Sequence, residues 1–306
     1  MRPRFARALF VVVLIAGVQA VAHADTAPAG ALPHIKTTGR LTFGYRADAR
    51  PFSYTDASGN PAGYSIALCQ AIADETKREL GLPSLRVEWK PVAADARFSA
   101  LRNGEVDVLC GADTVTLGRR AEVSFSIPIF RGGIGALVRA DAPARLREVL
   151  SGRGPTFRPV WRAAATQLLQ SRDFSVVRGT TAATWLDERM KTLDIVAAVA
   201  AVSRYGEGVQ RLLDRRSDVF FGDRAILLDA AKRQAPGHRL IVIDRDFTYE
   251  PIALALPLGD EGFRLLVDRA LSNLYRSGEI GNVYAQSFGE PDAGALSFFR
   301  WNALPE

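Results

Sequence analysis

Histidine is almost missing from this 306-residue chain: His23, His34 and His238 are the whole supply. A Ser-His-Asp triad or a histidine zinc site would have to be built from these, which argues against most hydrolase chemistry. Cysteine is as scarce, with Cys69 and Cys110 alone. No G-x-G-x-x-G fingerprint and no Gly-Lys-Ser/Thr phosphate loop occurs, so no nucleotide cofactor is expected, nor any other. No Lys/Arg run interleaved with aromatics is present. Nucleic-acid binding is therefore unsupported despite the net charge of +6. Three of the 39 basic residues, Arg2, Arg4 and Arg7, precede a short apolar run, leaving 36 against 33 acidic ones beyond it.

That apolar run, Ala8 to Val18, is shorter than the roughly 18 residues a membrane-spanning helix needs. With the basic residues before it and Ala22-His23-Ala24 after it, it reads as a signal peptide over 1–24, cut after Ala24. The mature chain is then expected in the periplasm, where a bridge persists and an even pair of cysteines reads as a disulfide rather than a nucleophile. Residues 25–38, rich in Ala, Pro and Gly as far as Pro33, read as a disordered lead-in. The remaining chain, about 280 residues, can bury one large core or two medium ones.

The stretch around which the rest is organised is Asp107-Val-Leu-Cys-Gly-Ala-Asp-Thr-Val-Thr-Leu-Gly-Arg119. It opens as a short apolar strand, turns at Gly111, and shows Thr114 and Thr116 ahead of Arg119. Free backbone N–H groups after a strand, joined by a planar bidentate donor, suit a carboxylate. Before it, Leu41–Tyr45 predicts a strand with Arg46 just past its carboxyl end, where ligands collect in open α/β sheets. Gly63–Leu80 predicts a helix that Ser65 can cap and Gly81 stops, with Cys69 on the core face. Leu85–Trp89 reads as an alternating strand and Ala94–Arg102 as a short helix bearing Arg97.

Ile127–Val138 is an extended segment that could leave one sheet for another. Arg- and Ala-rich helical sequence follows over Asp141–Ser171. The strand Phe174–Val177 then feeds Gly179-Thr-Thr181 and a helix, a second anion-friendly helix start facing the first. Asp218–Arg224 reads as a strand ending in the carboxylate of Asp223. After Ile252–Leu256 come a long helix, Glu261–Ser277, one more turn at Gly278–Gly281, and a tail whose Phe298, Phe299 and Trp301 should pack back. Strand and helix in repetition predict an α/β chain of two units, each a mixed sheet flanked by helices, joined by two extended segments: a clamshell.

The order Gly39-Arg-Leu, Arg50-Pro-Phe-Ser-Tyr54, Gly63-Tyr-Ser-Ile, Asn103-Gly-Glu-Val-Asp107, Arg119, Phe125-Ser-Ile-Pro128, Gly179-Thr-Thr181, Asp218 and Asp223 resembles the periplasmic solute-binding proteins of polar amino-acid ABC transporters. It resembles the glutamate/aspartate-binding branch in particular, whose members also tend to carry a Cys in the first helix and a Cys-Gly pair such as Cys110-Gly111. The resemblance implies a type II periplasmic-binding-protein clamshell with two crossing hinge strands. Lobe one would be 39–132 plus 249–306, and lobe two 133–248. It implies a small-molecule amino acid ligand, an ABC permease as partner, and a monomer.

Position by position, the resemblance makes Arg119 the binder of the ligand α-carboxylate, with Thr114 adding hydroxyl and N–H. Ala112 matches a backbone contact to the α-amino group, and Asp223 the lobe-two carboxylate that pairs with the ammonium. Gly179, Thr180 and Thr181 match the helix start that holds a carboxylate. Arg46 and Arg97 match arginines associated with an acidic side chain. Departures are Ala94 and Ala112, where Ser is usual, Tyr205 in place of His, and Arg224 following Asp223. Tyr205 and Arg224 are further candidate contacts. Three arginines against one aspartate leave excess positive charge, which fits an acidic amino acid. Two alternatives stand beside this: an enzyme on the same scaffold resembling the exported cyclohexadienyl dehydratases, with Glu250 and Asp48 as the nearest carboxylates, and an occupancy-reporting sensor subunit.

Overall fold

The computed structural model describes residues 30–152, 167–233 and 240–306. The signal-peptide reading, the middle of the Asp141–Ser171 stretch and His238 lie outside the described residues. In chain order the elements are α1 (Ala31–Thr38), β1 (Arg40–Tyr45), β2 (Asp48–Ala49), β3 (Ser53–Thr55), β4 (Pro61–Ala62), α2 (Tyr64–Leu80), β5 (Arg86–Pro91), α3 (Arg97–Arg102), β6 (Val108–Thr114), α4 (Leu117–Arg120), β7 (Ser124–Phe125) and β8 (Phe130–Gly132). There follow β9 (Ile134–Arg139), α5 (Ala144–Ser151), β10 (Asp173–Val177), α6 (Thr181–Leu193), β11 (Ala198–Val202), α7 (Tyr205–Leu213), β12 (Val219–Asp223), α8 (Arg224–Lys232) and β13 (Leu240–Val242). Last come β14 (Glu250–Leu256), α9 (Glu261–Ser277), α10 (Glu279–Phe288) and α11 (Ala293–Asn302).

Two mixed sheets result, and each makes a lobe. The first runs β5-β1-β6-β14-β7 with β8 also on β14; the second runs β11-β10-β12-β9-β13. In both, parallel pairs on one side (β1 with β5 and β6; β10 with β11 and β12) give way to antiparallel pairing at β14 and at β9. A small sheet of β2, β3 and β4 sits on the first lobe. The chain passes between lobes twice, from β8 to β9 and from β13 to β14. The two passages touch: Ile134 N–H donates to Thr248 Oγ1 at 3.0 Å, and Phe247 N–H donates to the Ile134 carbonyl at 2.9 Å. Gly133 is required here, because a Cβ on it would lie 2.3 Å from the Thr248 carbonyl oxygen.

The apolar periodicity of α2 explains the first core. Leu68, Cys69, Ile72 and Ala73 are fully buried and lie with Leu41, Phe43 and Val108 of the sheet. This places Cys69 against β6, and Cys69 and Cys110 form a disulfide across 41 residues of chain. In the chain-entropy account, such a loop makes the bridge worth about 4 kcal/mol. The double variant Cys69→Ala, Cys110→Ala is therefore expected to unfold ~10 °C lower in a thermal scan. A midpoint within a degree or two of wild type would show that the bridge adds little.

Several local expectations are corrected. Residues 31–38 are helical rather than disordered: Ile35 is fully buried, and Ala31 N–H donates to Asp260 Oδ2 from 229 residues away. The strand through Gly111 does not turn there, because Asp113 and Thr114 pair with Ala253 and Ile252 of β14. Ser65 does not cap α2; it is buried, and its hydroxyl donates to the Gly111 carbonyl at 2.9 Å. β5 is a half-exposed edge strand without clean alternation. The turn expected at Gly278 is a full helix, α10, and α11 follows it. Phe299 packs on Tyr275 and Tyr284 as the clasp requires, whereas Trp301 is 86% exposed. Among the described residues no helix is long and apolar enough to cross a membrane.

Candidate functional site

The carboxyl ends of β1 and β6, the start of α6, the end of β12 and the crossing segments converge on one narrow cavity. It is lined by Arg46, Arg97, Ala112, Thr114, Arg119, Thr180, Thr181, Tyr205 and Asp223, all expected from the sequence. Gly179 contributes its carbonyl rather than a wall. Arg97 Nη1 donates to that oxygen at 3.2 Å and Arg119 Nη2 at 3.4 Å, so these two of the three first-lobe arginines in the lining reach the second lobe. Arg224 is not in the lining: its guanidinium turns toward the Ile243 carbonyl, Asp244 and Asp246. These partners on the second lobe hold the Arg224 side chain away from the cavity, which is why the expected contact fails.

Each charged wall has identifiable supports. Arg119 Nη1 donates to the Thr114 carbonyl at 2.7 Å, and the Arg97 and Arg119 guanidiniums lie 4.3 and 5.0 Å from the centre of the Phe98 ring. A ring face under two cations offsets part of their mutual repulsion. Burial, reinforced by the charge of Arg97, lowers Arg119 to about 10, which leaves it cationic at neutral pH. Arg97 is 4% exposed and donates through Nε to Asp113 Oδ1. Arg46 is 6% exposed and pairs with Asp48 Oδ1 at 2.6 Å, while Asp48 Oδ2 accepts the Tyr205 N–H at 3.0 Å from the other lobe.

On the second lobe, Thr180 caps α6 and Thr181 Oγ1 donates to Glu250 Oε2 at 2.8 Å. Thr181 Oγ1 also stands 3.5 Å from Thr114 Oγ1, so the two hydroxyl-bearing segments do face each other. Asp223 caps α8, accepting from the N–H groups of Ala225 at 2.9 Å and Ile226 at 3.2 Å. Burial raises its carboxyl to about 7 despite these N–H donors, with Glu250 and Asp246 pushing the same way. The sequence reading missed Asp113 altogether, along with Ala49, Gly133, Ile134 and Ile226. A carboxylate inside the otherwise apolar run of β6 was the available signal for Asp113. Glu250 was noticed only as an alternative acid; it lines the cavity, with Oε1 accepting from Thr248 Oγ1 at 2.8 Å. Asp48 stands behind Arg46, outside the lining.

Two mixed α/β lobes, joined by crossing strands and meeting over a cavity of paired charges, define a type II solute-binding clamshell. The chain belongs to the bacterial extracellular solute-binding proteins, family 3, whose pattern it matches over residues 41–290. It is 30% identical over 266 residues to the L-glutamate/L-aspartate-binding protein of Pseudomonas aeruginosa, covering 86% of this chain and 81% of that protein. The glutamate/aspartate import solute-binding protein of Salmonella typhimurium is 27% identical over 290 residues, 93% of this chain and 89% of that one. Among solved structures, the cysteine-binding protein of Campylobacter jejuni superposes with a TM-score of 0.69 at 22% identity, over 86% and 96% of the two chains. It supports the fold alone.

Proposed function

We propose that this protein is a periplasmic receptor that closes its two lobes on a polar α-amino acid and hands it to an ABC permease of the inner membrane, acting as a monomer. The lobes would divide as 39–132 plus 249–306 and 133–248, with the break at the touching passages near Gly133 and Thr248. The observation that carries the reading is the convergence of Arg119 from one lobe with Asp223 and the start of α6 from the other. An amino acid zwitterion needs one cationic and one anionic partner at fixed separation, and a guanidinium facing a helix-capping carboxylate supplies both.

The relatives' names and the three arginines support glutamate or aspartate as ligand. Arg46 and Arg97 are, however, each held by a carboxylate of the chain itself. That brings the amides of those amino acids into the same class. An enzymatic role is not favoured, because the similar relatives are named as binding proteins.

A titration of the chain from Asp25 onward against the proteinogenic amino acids tests the reading. A ligand at 100 times its dissociation constant should add about 2.7 kcal/mol to stability, visible as a thermal shift. The pH profile adds a second check. An ammonium needs the ionised form of Asp223, whose carboxyl ionises near 7. Affinity should therefore be full above that pH and fall ~tenfold per unit as the pH drops below it. A flat profile across that range would place the ammonium elsewhere.

A further inference from the structure

Asp113 lies in the interior of β6 and is 1% exposed. Burying a carboxylate is costly unless its lone pairs are used. One oxygen is used: Oδ1 accepts from Arg97 Nε. The other, Oδ2, has no hydrogen-bond partner among the described residues, although Asp113 lines the cavity. A Cβ built on Gly111 would lie 3.0 Å from this Oδ2 and 3.8 Å from Arg46 Cγ, so the carboxylate held by Arg97 has the Arg46 side chain close by, on the same side of Gly111. Arg46 is meanwhile committed to Asp48 through Nε at 3.1 Å and Nη2 at 2.6 Å. The wall at this end of the cavity thus offers guanidinium donors beside a free acceptor, rather than an unanswered positive charge.

We propose that Asp113 sets the side-chain class of the ligand, and that this class is the primary carboxamide. The inference rests on the amino-acid reading above. A carboxamide carries a carbonyl that accepts and an NH₂ that donates, which matches guanidinium and carboxylate set side by side. A ligand carboxylate has only acceptors and would set its charge against Asp113. A ligand ammonium would satisfy Asp113 but lie against Arg46 and Arg97. Glutamine or asparagine fits where glutamate, aspartate and lysine each leave one wall opposed.

The test is calorimetric titration of the wild-type mature chain with glutamine, asparagine, glutamate and aspartate near neutral pH. A hydrogen bond to a charged group predicts that an amide binds at least ~tenfold tighter than its acid. In Asp113→Asn the shape is kept, Oδ1 remains for Arg97, and the free acceptor becomes a donor; the order should then reverse toward the acids. Tighter binding of glutamate or aspartate by the wild type would overturn the inference, and that comparison holds even if the variant folds poorly. An amide preference unchanged in a folded Asp113→Asn would remove Asp113 from the role. Silence toward every amino acid would overturn the functional reading instead.

Discussion

Arg119→Ala is expected to abolish measurable binding of every amino acid that the wild type captures. The guanidinium is pinned through Nη1 to the Thr114 carbonyl and lies 5.0 Å over Phe98, so its remaining donors are already oriented into the cavity. Two charge-assisted hydrogen bonds to an α-carboxylate at 1.5–3 kcal/mol each put the loss on the order of a thousandfold. Little stability should go with it. Arg119 sits in the four-residue α4, has no carboxylate within salt-bridge range among the described residues, and is opposed by Arg97. Calorimetry together with a thermal scan without ligand separates the two effects. Near-wild-type affinity would move the α-carboxylate to another group; a large fall in the unfolding midpoint would make the arginine a folding residue.

Gly179→Ala is expected to do comparable damage without touching a ligand-facing side chain. Gly179 has a φ of +72°, and a Cβ there would lie 2.7 Å from Asp95 Cα and 3.1 Å from the Ala94 carbonyl oxygen. Those atoms are backbone of the opposite lobe and cannot rotate away. The left-handed strain costs of order 1–2 kcal/mol in any state of the protein. The clash exists only when the lobes are together, so it acts on closure alone. If the closed form falls to one molecule in a hundred, apparent affinity falls about a hundredfold. Small-angle scattering of the variant with saturating ligand should show no compaction relative to the protein alone. Normal compaction and affinity would mean that the lobes close without the Gly179–Asp95 approach.

Much of the architecture was legible in one dimension. The spacing of Ile66, Cys69, Ile72 and Ala73 on α2, and the start and stop of the long helix at Glu261–Ser277, are local signals, and they matched the structure closely. Ser65 and Gly111 were misread for a common reason: each has a plausible local role, as cap or as turn, that a tertiary partner overrides. The Ser65 hydroxyl goes to the Gly111 carbonyl, and β6 continues past Gly111 because β14, arriving from the far end of the chain, completes its ladder.

The site divides in the same way. From the residues alone came the α/β clamshell, the cysteine pair, the two hydroxyl-rich segments and the residues Arg46, Arg97, Arg119 and Asp223, since helix starts, strand ends and charges are properties of short stretches. Only the tertiary structure decided how those charges are spent. Arg97 meets Asp113 across 16 residues, Thr181 meets Glu250 across 69, and Asp48 meets the backbone of Tyr205 across 157. A count of arginines in the sequence therefore predicts an unbalanced positive pocket, whereas packing pairs two of the three and leaves a lone carboxylate oxygen in the wall. Hydrophobic period is written along the chain. The pairing of buried charges depends on which elements the fold brings within a few ångströms, and it is that pairing which selects the ligand.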